Sequence, residues 1–407
     1  MILKGLMEEK EDKVYKRDAI SYYDQPMRSS RYDPVKVCWE DKICQDHYRV
    51  MVNRLIERGE KLRILDFGCG IGYGYHLLSN IFEEDAPVEE DGCKLLDKED
   101  IEYYVGLDIN SDMLEIANDK YNSDEKVTTR QCDFLRDEYP DRAFNIYFSS
   151  GVPFSHLNDD DFRLLLKKIF KHIKSFEQSA FLVVDVLGRY SIEWQTQWDE
   201  PSWHIYNMSF FSDGKVKEPV YMKFWGEELK NLVIDAAQEA GVKAELFDTF
   251  DRSIFIGRHI DTNSFNPNLK KMRTMVNGLF YPLERAPLPD MFMDYTYEGA
   301  PEDVRAYYER VTYYWNYALA TACSYLDIPA PDWFEADEAC TIPKSLKSDL
   351  EHLRLLIKDK ELYKHTDDFR ADVFEPSLGY LLRNIERDCS EGLGAAHTLI
   401  SIFEVMP

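Results

Sequence analysis

The first 258 residues alternate short apolar runs with stretches in which apolar residues recur at helical spacing. The apolar runs predict strands at residues 62–65, 103–108, 126–131, 144–148 and 181–187. The amphipathic stretches predict helices at residues 112–120, 159–175 and 226–240. Strands that alternate with helices in this way predict a doubly wound α/β sheet.

The first predicted strand runs directly into a glycine-rich turn, Asp66-Phe67-Gly68-Cys69-Gly70-Ile71-Gly72. A turn of this kind between a strand and a helix predicts a nucleotide-like ligand. The dinucleotide fingerprint would need glycine at position 73, where the chain has Tyr73. Asp66 would oppose a pyrophosphate at the turn but suits a cationic ligand such as an ammonium group.

This turn resembles motif I of the class I S-adenosylmethionine (SAM)-dependent methyltransferases, and the segments after it follow in the order of the small-molecule branch of that family. The resemblance implies a Rossmann-like sheet of seven strands, the last antiparallel, with SAM as cofactor. It implies that Asp108 accepts hydrogen bonds from the ribose hydroxyls and Asp133 from the adenine amino group. The cofactor contacts that it implies are Tyr23, Asp66, Gly68, Cys69, Gly70, Gly72, Asp108, Ile109, Met113, Cys132, Asp133, Phe134, Ser150 and Gly151.

Residues 149–157 resemble motif IV of the same branch. Their Ser-Gly-Val-Pro-Phe sequence lacks the paired prolines typical of enzymes that methylate DNA bases or protein glutamine, and it therefore disfavours that reaction class. His156 in this segment is a candidate general base, because a neutral imidazole titrates in the useful range. The alternative is a histidine that packs against or caps the turn.

Two aromatic segments are predicted to shape the substrate site. Residues 1–60 resemble an N-terminal helical lid, and residues 189–225 form an aromatic insertion after the fifth strand. His204, within the insertion, is the leading candidate for a proton acceptor. Packing is an equal alternative for these aromatics, since Trp194 and Trp198 are spaced to share one helix face. The candidate substrate contacts are Tyr22, Tyr32, Phe154, Trp194, Trp198, Trp203 and Tyr206.

The family resemblance ends near residue 258. Residues 242–250 and 253–258 predict the closing hairpin of a methyltransferase domain that spans 61–258, with an acidic insertion at 81–100. Residues 259–407 predict a helical C-terminal domain, with helices at 302–326, 345–358, 377–389 and 393–403, that serves as a substrate cap or a dimer interface. Arg383 and His397 are the residues in it to test first.

Composition narrows the classes of partner. The 407 residues carry a formal net charge of -26, which argues against binding to nucleic acid. No apolar run is long enough to span a membrane and the first residues do not resemble a signal peptide, so we expect a cytoplasmic protein. The eight cysteines show no metal-ligand spacing, and no metal is expected.

The sequence therefore predicts a SAM-dependent methyltransferase that transfers a methyl group to oxygen or nitrogen of a small-molecule metabolite. One alternative is a SAM-consuming enzyme that transfers the aminocarboxypropyl group, or cyclises it, and releases methylthioadenosine. Another is a non-catalytic SAM-binding subunit. A homodimer through the C-terminal helices is a further expectation.

Overall fold

A mixed sheet with helices on both faces organises the chain. The structure is a computed structural model that describes residues 27–28, 31–83, 94–207, 219–258, 261–337 and 341–407. The expected contacts of Tyr22 and Tyr23, residues 1–26 and 29–30 of the expected lid, and the centre of the acidic insertion lie outside these residues.

The strands are β1 (Met27–Arg28), β2 (Arg31–Tyr32), β3 (Leu62–Phe67), β4 (Ile101–Asp108), β5 (Val127–Gln131), β6 (Ile146–Ser149), β7 (Ala180–Gly188), β8 (Trp203–Asn207), β9 (Pro219–Trp225), β10 (Lys243–Arg252) and β11 (Thr398–Met406). The α-helices are α1 (Lys42–Glu57), α2 (Tyr73–Ser79), α3 (Ser111–Tyr121), α4 (Asp159–Ser175), α5 (Glu228–Ala240), α6 (Met272–Gly278), α7 (Glu302–Tyr325), α8 (Lys344–Lys358) and α9 (Glu375–Asp388). Shorter 3-10 or π-helical segments are Lys36–Asp41, Lys98–Asp100, Pro153–His156, Ile192–Gln197, Thr262–Ser264, Leu288–Met291, Lys360–Tyr363 and Arg370–Phe374.

Seven strands lie in the order β10-β11-β7-β6-β3-β4-β5. Strands β3 to β7 pair in parallel, and β11 is antiparallel to both of its neighbours. The expected doubly wound sheet with an antiparallel last strand is therefore confirmed. The β8–β9 hairpin extends the sheet, because the end of β9 pairs with Leu187 and Gly188 at the end of β7.

The antiparallel strand does not come from residues 253–258, as the sequence predicts, but from β11. Ser253 has a left-handed backbone (φ 64°) that ends β10, and residues 253–258 form no strand. The helix predicted at 393–403 is also wrong, because residues 398–406 pair with β7 on one side and β10 on the other. The helices α6 to α9 are thus inserted between two neighbouring strands of the sheet.

Side chains alternate between two hydrophobic cores, one on each face of the sheet. Leu399 and Phe403 of β11 pack with α4 and α5, whereas Ile400 and Ile402 belong to the core that holds α1 and α2. That second core is continuous with apolar residues of α7, α8 and α9. The inserted helices therefore share a core with the N-terminal helix on one face of the sheet.

Local signals account for several of the helix ends. The Asn158 side chain accepts a hydrogen bond from the backbone N–H of Asp161, which caps α4 at the predicted residue. Gly241 ends α5 in a left-handed conformation, also as predicted. These caps explain why the helices that begin or end near them are the best-predicted elements of the chain.

Burial of β11 predicts a large loss of stability when its core side chains are truncated. Leu399 is 1% exposed, and we expect Leu399→Ala to lower the free energy of unfolding by about 2–5 kcal/mol. Leu362→Ala is the matched control, because Leu362 is 74% exposed and its loss should change stability by no more than about 0.5 kcal/mol. Urea unfolding measures both, and equal effects would contradict a buried β11.

Candidate active site

The glycine turn lies at the carboxyl end of β3, between β3 and α2. Gly68 has φ +67°, and a Cβ on it would lie 2.6 Å from Cβ of Pro153, so only glycine fits there. Gly70 also has a positive φ, but a Cβ built on it meets no atom within 4 Å. The turn is therefore packed beneath Gly68 and open at Gly70, which leaves room for a ligand to approach the backbone.

Asp108, at the end of β4, is held against this turn. Its carboxylate accepts hydrogen bonds from the backbone N–H of Gly70 at 2.8 Å and of Asn110 at 2.9 Å. Burial raises the pKa of Asp108, although the hydrogen bonds that it accepts oppose the shift. Each oxygen accepts one of these bonds and keeps a lone pair for another donor, as binding to a diol requires.

Asn110 connects Asp108 to the helix that follows. Its side chain accepts from the backbone N–H groups of Asp112 and Met113 and so caps α3, as the sequence predicts. Met113 is buried at the first turn of the helix, whereas the side chain of Ile109 is 60% exposed. The structure thus brings Gly70, Asp108, Ile109 and Met113 to one edge of the sheet.

Asp66 lies beneath the turn rather than at its surface. One carboxyl oxygen accepts a 2.5 Å hydrogen bond from the Tyr104 hydroxyl, and the other is buried with no hydrogen-bond partner among the described residues. Burial raises the pKa of Asp66 to about 8. The carboxyl is fully enclosed, and the expected contact with a cationic group stays a prediction.

The third group of expected cofactor contacts follows β5. Cys132 is buried, and its backbone N–H donates to the carbonyl of Asp108 at 2.8 Å. One oxygen of Asp133 accepts from the backbone N–H groups of Leu135 and Arg136, so this side chain caps its own turn. Phe134 packs edge-on against Phe67, with ring centroids 5.9 Å apart.

The motif IV turn follows β6 and contacts β7. Ser150 is buried, and the backbone N–H of Gly151 donates to the carboxylate of Asp185 at 2.8 Å. Phe154 was expected to contact substrate, but its ring is fully buried in the core against Phe67 and Phe162. Burial lowers the pKa of His156 to about 4, which keeps it neutral near pH 7 but makes it a weak base.

Two tryptophans of the aromatic insertion pack against neighbouring elements. Trp198 is buried, with Nε1 donating to the carbonyl of Ser191 and its ring stacked on Tyr308 of α7. Trp203 is half-buried and stacks on Tyr221 of β9. For Tyr32 the structure describes only the backbone, which pairs β2 with β1.

A hydrogen bond fixes which ring nitrogen of His204 carries the proton. Its Nδ1 lies 2.8 Å from the carbonyl oxygen of Pro201, which can only accept, so Nδ1 carries the proton and Nε2 the lone pair. Nε2 is buried and has no hydrogen-bond partner among the described residues. The ring stacks on Phe224 at 4.0 Å, and burial lowers the pKa of His204.

Sequence reasoning missed two acids near these groups. Asp185 lies within the apolar β7, and a carboxylate inside such a run is itself a signal of a buried ion pair. Glu193 forms a 2.5 Å hydrogen bond with Nδ1 of His397, 204 positions away, and no local pattern points to this contact. Across the described ranges, no group of three or more potential ligand residues is placed to bind a metal ion.

Part of the chain is similar in sequence to known methyltransferases. Residues 93–175 match a family model described as a methyltransferase domain. A phosphoethanolamine N-methyltransferase from Plasmodium falciparum (isolate 3D7) is 23% identical over 145 residues, which cover 36% of this chain and 47% of that protein. The chain thus matches about half the length of this relative.

Solved methyltransferase structures are also similar. Magnesium protoporphyrin IX methyltransferase from Synechocystis PCC 6803 with bound SAH has a TM-score of 0.37 at 12% identity, covering 60% of this chain and 93% of that one. A SAM-dependent methyltransferase from Clostridium acetobutylicum ATCC 824 has a TM-score of 0.35 at 13% identity, covering 54% and 87%.

The match over residues 93–175 shows a methyltransferase domain in this chain, and the strand order and the glycine turn agree with the class I SAM-dependent fold that the sequence predicts. SAM is therefore its cofactor, and the residues present fit it: Gly70 leaves open space, and Asp108 keeps acceptor capacity on both oxygens. No helix within the described ranges is long and apolar enough to cross a membrane.

The geometry of Asp108 predicts its contribution to cofactor affinity. If Asp108 binds the ribose, as the resemblance implies, Asp108→Ala removes two charge-assisted hydrogen bonds to ligand. We then expect S-adenosylhomocysteine to bind about 2–4 kcal/mol more weakly, because water can replace part of the loss. Asp119→Ala, an exposed position on α3, is the control and should leave the affinity unchanged. Calorimetry with S-adenosylhomocysteine measures both, and an unaltered affinity in Asp108→Ala would place the ribose acid elsewhere.

The raised pKa of Asp66 predicts a pH dependence of stability. The folded protein keeps a proton on Asp66 up to about pH 8, whereas the unfolded chain releases it near pH 4. The contribution of this proton to the free energy of unfolding is therefore complete below about pH 4 and is lost as the pH rises to 8. Asp66→Asn keeps an acceptor for Tyr104 but does not titrate. Between pH 5 and 8, the wild type should lose up to about 1.4 kcal/mol of unfolding free energy per pH unit relative to this variant. Urea unfolding at four pH values measures the difference, and parallel curves would contradict it.

Proposed function

We propose that this protein transfers the methyl group of SAM to an oxygen or nitrogen atom of a small-molecule metabolite. The observation that supports this most directly is a cavity of about 130 Å³ beside the end of β7, at the edge of the sheet that carries the glycine turn. The cavity is lined by Glu193, Trp194, Thr196, Gln197, Ile205, Tyr206, Phe224, Ser264 and Phe265. Its size suits a small chemical group.

The strand order favours a reaction between the two sites. Strands β3, β6 and β7 are consecutive neighbours, and the register places the end of β3 level with about residue 184 of β7. The end of β7 therefore lies two strand spacings across the sheet and four residues further along it, about 16 Å from the end of β3. Ligands of doubly wound sheets bind outside the carboxyl ends of the strands. A cofactor at Gly70 and Asp108 and an acceptor in the cavity would therefore share one crevice.

Bound SAM supplies a methyl group on a positively charged sulfur, which is open to attack by a lone pair. The residues of this chain would bind and orient the two reactants and exclude water, and orientation alone supplies much of such a rate. Nε2 of His204 is the group best prepared to accept the acceptor's proton, since its neutral tautomer is set by Pro201. His156 is the weaker candidate, given its lowered pKa.

The proposed partners follow from charge, and the proposed location follows from the sequence pattern. A formal net charge of -26 favours a cationic cofactor and disfavours nucleic acid as a partner, and we place the enzyme in the cytoplasm. A homodimer through the inserted helices stays a prediction.

Product analysis tests the proposed reaction. Incubation with SAM and a metabolite extract should give S-adenosylhomocysteine and one methylated metabolite, whereas methylthioadenosine would indicate transfer or cyclisation of the aminocarboxypropyl group. His204→Ala should lower turnover about 100-fold or more while S-adenosylhomocysteine affinity stays within about twofold. Full turnover in His204→Ala would remove it as the proton acceptor, and no SAM-derived product with any extract would contradict the enzyme.

A further inference from the structure

The cavity beside β7 has a buried carboxylate in an otherwise neutral wall. Glu193 is 1% exposed, and its Oε2 accepts hydrogen bonds from Nδ1 of His397 at 2.5 Å and from the Ser191 hydroxyl at 3.4 Å. Its Oε1 is equally buried but has no hydrogen-bond partner among the described residues. A buried carboxylate oxygen without a donor is costly, so Glu193 is the lining residue with the most to gain from a donor on a ligand or on water.

His397 and Tyr206 hold that carboxylate in place. A carboxylate can only accept, so Nδ1 of His397 carries the proton that it donates to Glu193, and Nε2 of His397 faces the hydroxyl of Tyr206 at 3.4 Å. The backbone carbonyl of His397 also accepts from the N–H of Gly188, the last residue of β7. Glu193 is thereby fixed relative to the end of the sheet, as a recognition group must be.

Four aromatic residues and three neutral polar residues account for most of the remaining wall. The ring of Trp194 meets Phe224 and Phe265 nearly edge-on, at centroid distances of 5.1 and 6.1 Å. Trp194 itself is anchored by hydrogen bonds from Nε1 to the carbonyls of Gly188 and Arg189. No lysine or arginine side chain lines this cavity in the described part of the chain.

A buried carboxylate beside aromatic rings and neutral polar side chains favours one kind of ligand group. An anion would face the Glu193 carboxylate, and a purely apolar group would leave Oε1 without a donor. An organic ammonium group donates to the carboxylate and is also attracted to ring faces. With about 130 Å³, the cavity has room for such a group together with several carbon atoms.

We propose that this cavity binds an ammonium group of the methyl-acceptor substrate, with Oε1 of Glu193 as its hydrogen-bond acceptor and counter-charge. The inference rests on the proposed function, because it takes the cavity as the acceptor side of the same crevice. It restricts the substrate class to metabolites that carry an amine, and it assigns recognition to residues outside the stretch matched by the family model.

Two probes of nearly the same shape test the charge requirement. The tert-butylammonium ion and tert-butanol both fit as compact groups and each gives one strong methyl signal, so ligand-observed NMR titration of the full chain measures both affinities. We expect tert-butylammonium to bind about 10- to 100-fold more tightly, the range for charge-assisted hydrogen bonds. Equal affinities, or binding of neither probe, would overturn the proposal.

Substitutions test whether the preference for tert-butylammonium depends on Glu193. Glu193→Gln should bring the two affinities within about threefold of each other, whereas Glu200→Gln, an exposed acid of the same segment, should retain the wild-type preference. If Glu193→Gln fails to fold, Thr196→Trp replaces it: Thr196 is an exposed residue on the cavity wall, and the indole should block both probes. A preference that survives either substitution would show that tert-butylammonium binds elsewhere.

A separate measurement distinguishes failure of this inference from failure of the proposed function. S-adenosylhomocysteine should bind wild type and Glu193→Gln equally, because Glu193 lies outside the glycine turn. If the protein binds S-adenosylhomocysteine and methylates a metabolite that lacks an amine, the methyltransferase proposal stands and the ammonium site is overturned. If it binds the ammonium probe but no S-adenosylhomocysteine, the cavity still binds ammonium groups and the methyltransferase proposal is overturned.

Discussion

The buried ion pair between Asp185 and Arg252 is the contact on which the arrangement of the site depends. Arg252 donates to Asp185 at 3.3 Å and, through Nε, to the Thr398 hydroxyl at 3.1 Å, while the same oxygen of Asp185 accepts from the N–H of Gly151. Burial opposes charge on Arg252, yet the acidic groups around it raise its pKa above the ordinary value. Loss of either partner would leave an uncompensated charge in the core. One pair therefore fixes the ends of β7, β10 and β11 against the motif IV turn.

A second buried cluster ties the inserted helices to the N-terminal part of the chain. Arg273 of α6 forms ion pairs with Asp33 and Glu40, both at 2.8 Å. Burial alone would raise the pKa of Glu40, but the nearby cations, Arg273 foremost, lower it to about 2. The insertion is therefore joined to the segment before β3 by buried charges as well as by the shared hydrophobic core.

Sequence predicted most of the sheet and failed where pairing with distant strands decides the structure. The helix α4 was predicted with correct ends because its cap and its apolar face are both local. Residues 393–403 are apolar almost throughout, a pattern that suits a helix or a buried strand, and only pairing with β7 and β10 selects the strand.

The residues of the candidate site also differ in how far the sequence predicts them. Gly70 and Asp108 belong to local motifs, whereas Glu193 and His397 meet only in the folded chain, and no count of aromatics separates the packed Trp198 from the cavity-lining Trp194.

Because β11 is the last strand in the sequence, the sheet cannot be completed until the end of synthesis. Strands β7 and β10 are complete by residue 252, but the strand between them begins at Thr398, after the whole helical insertion. At ~5–20 residues per second, a ribosome needs on the order of ten seconds to make the intervening segment. Throughout that interval the nascent chain exposes two unpaired strand edges and the apolar surfaces that β11 later covers. The chain is thus most open to strand exchange or aggregation late in translation, and shielding by a chaperone would matter most at that stage.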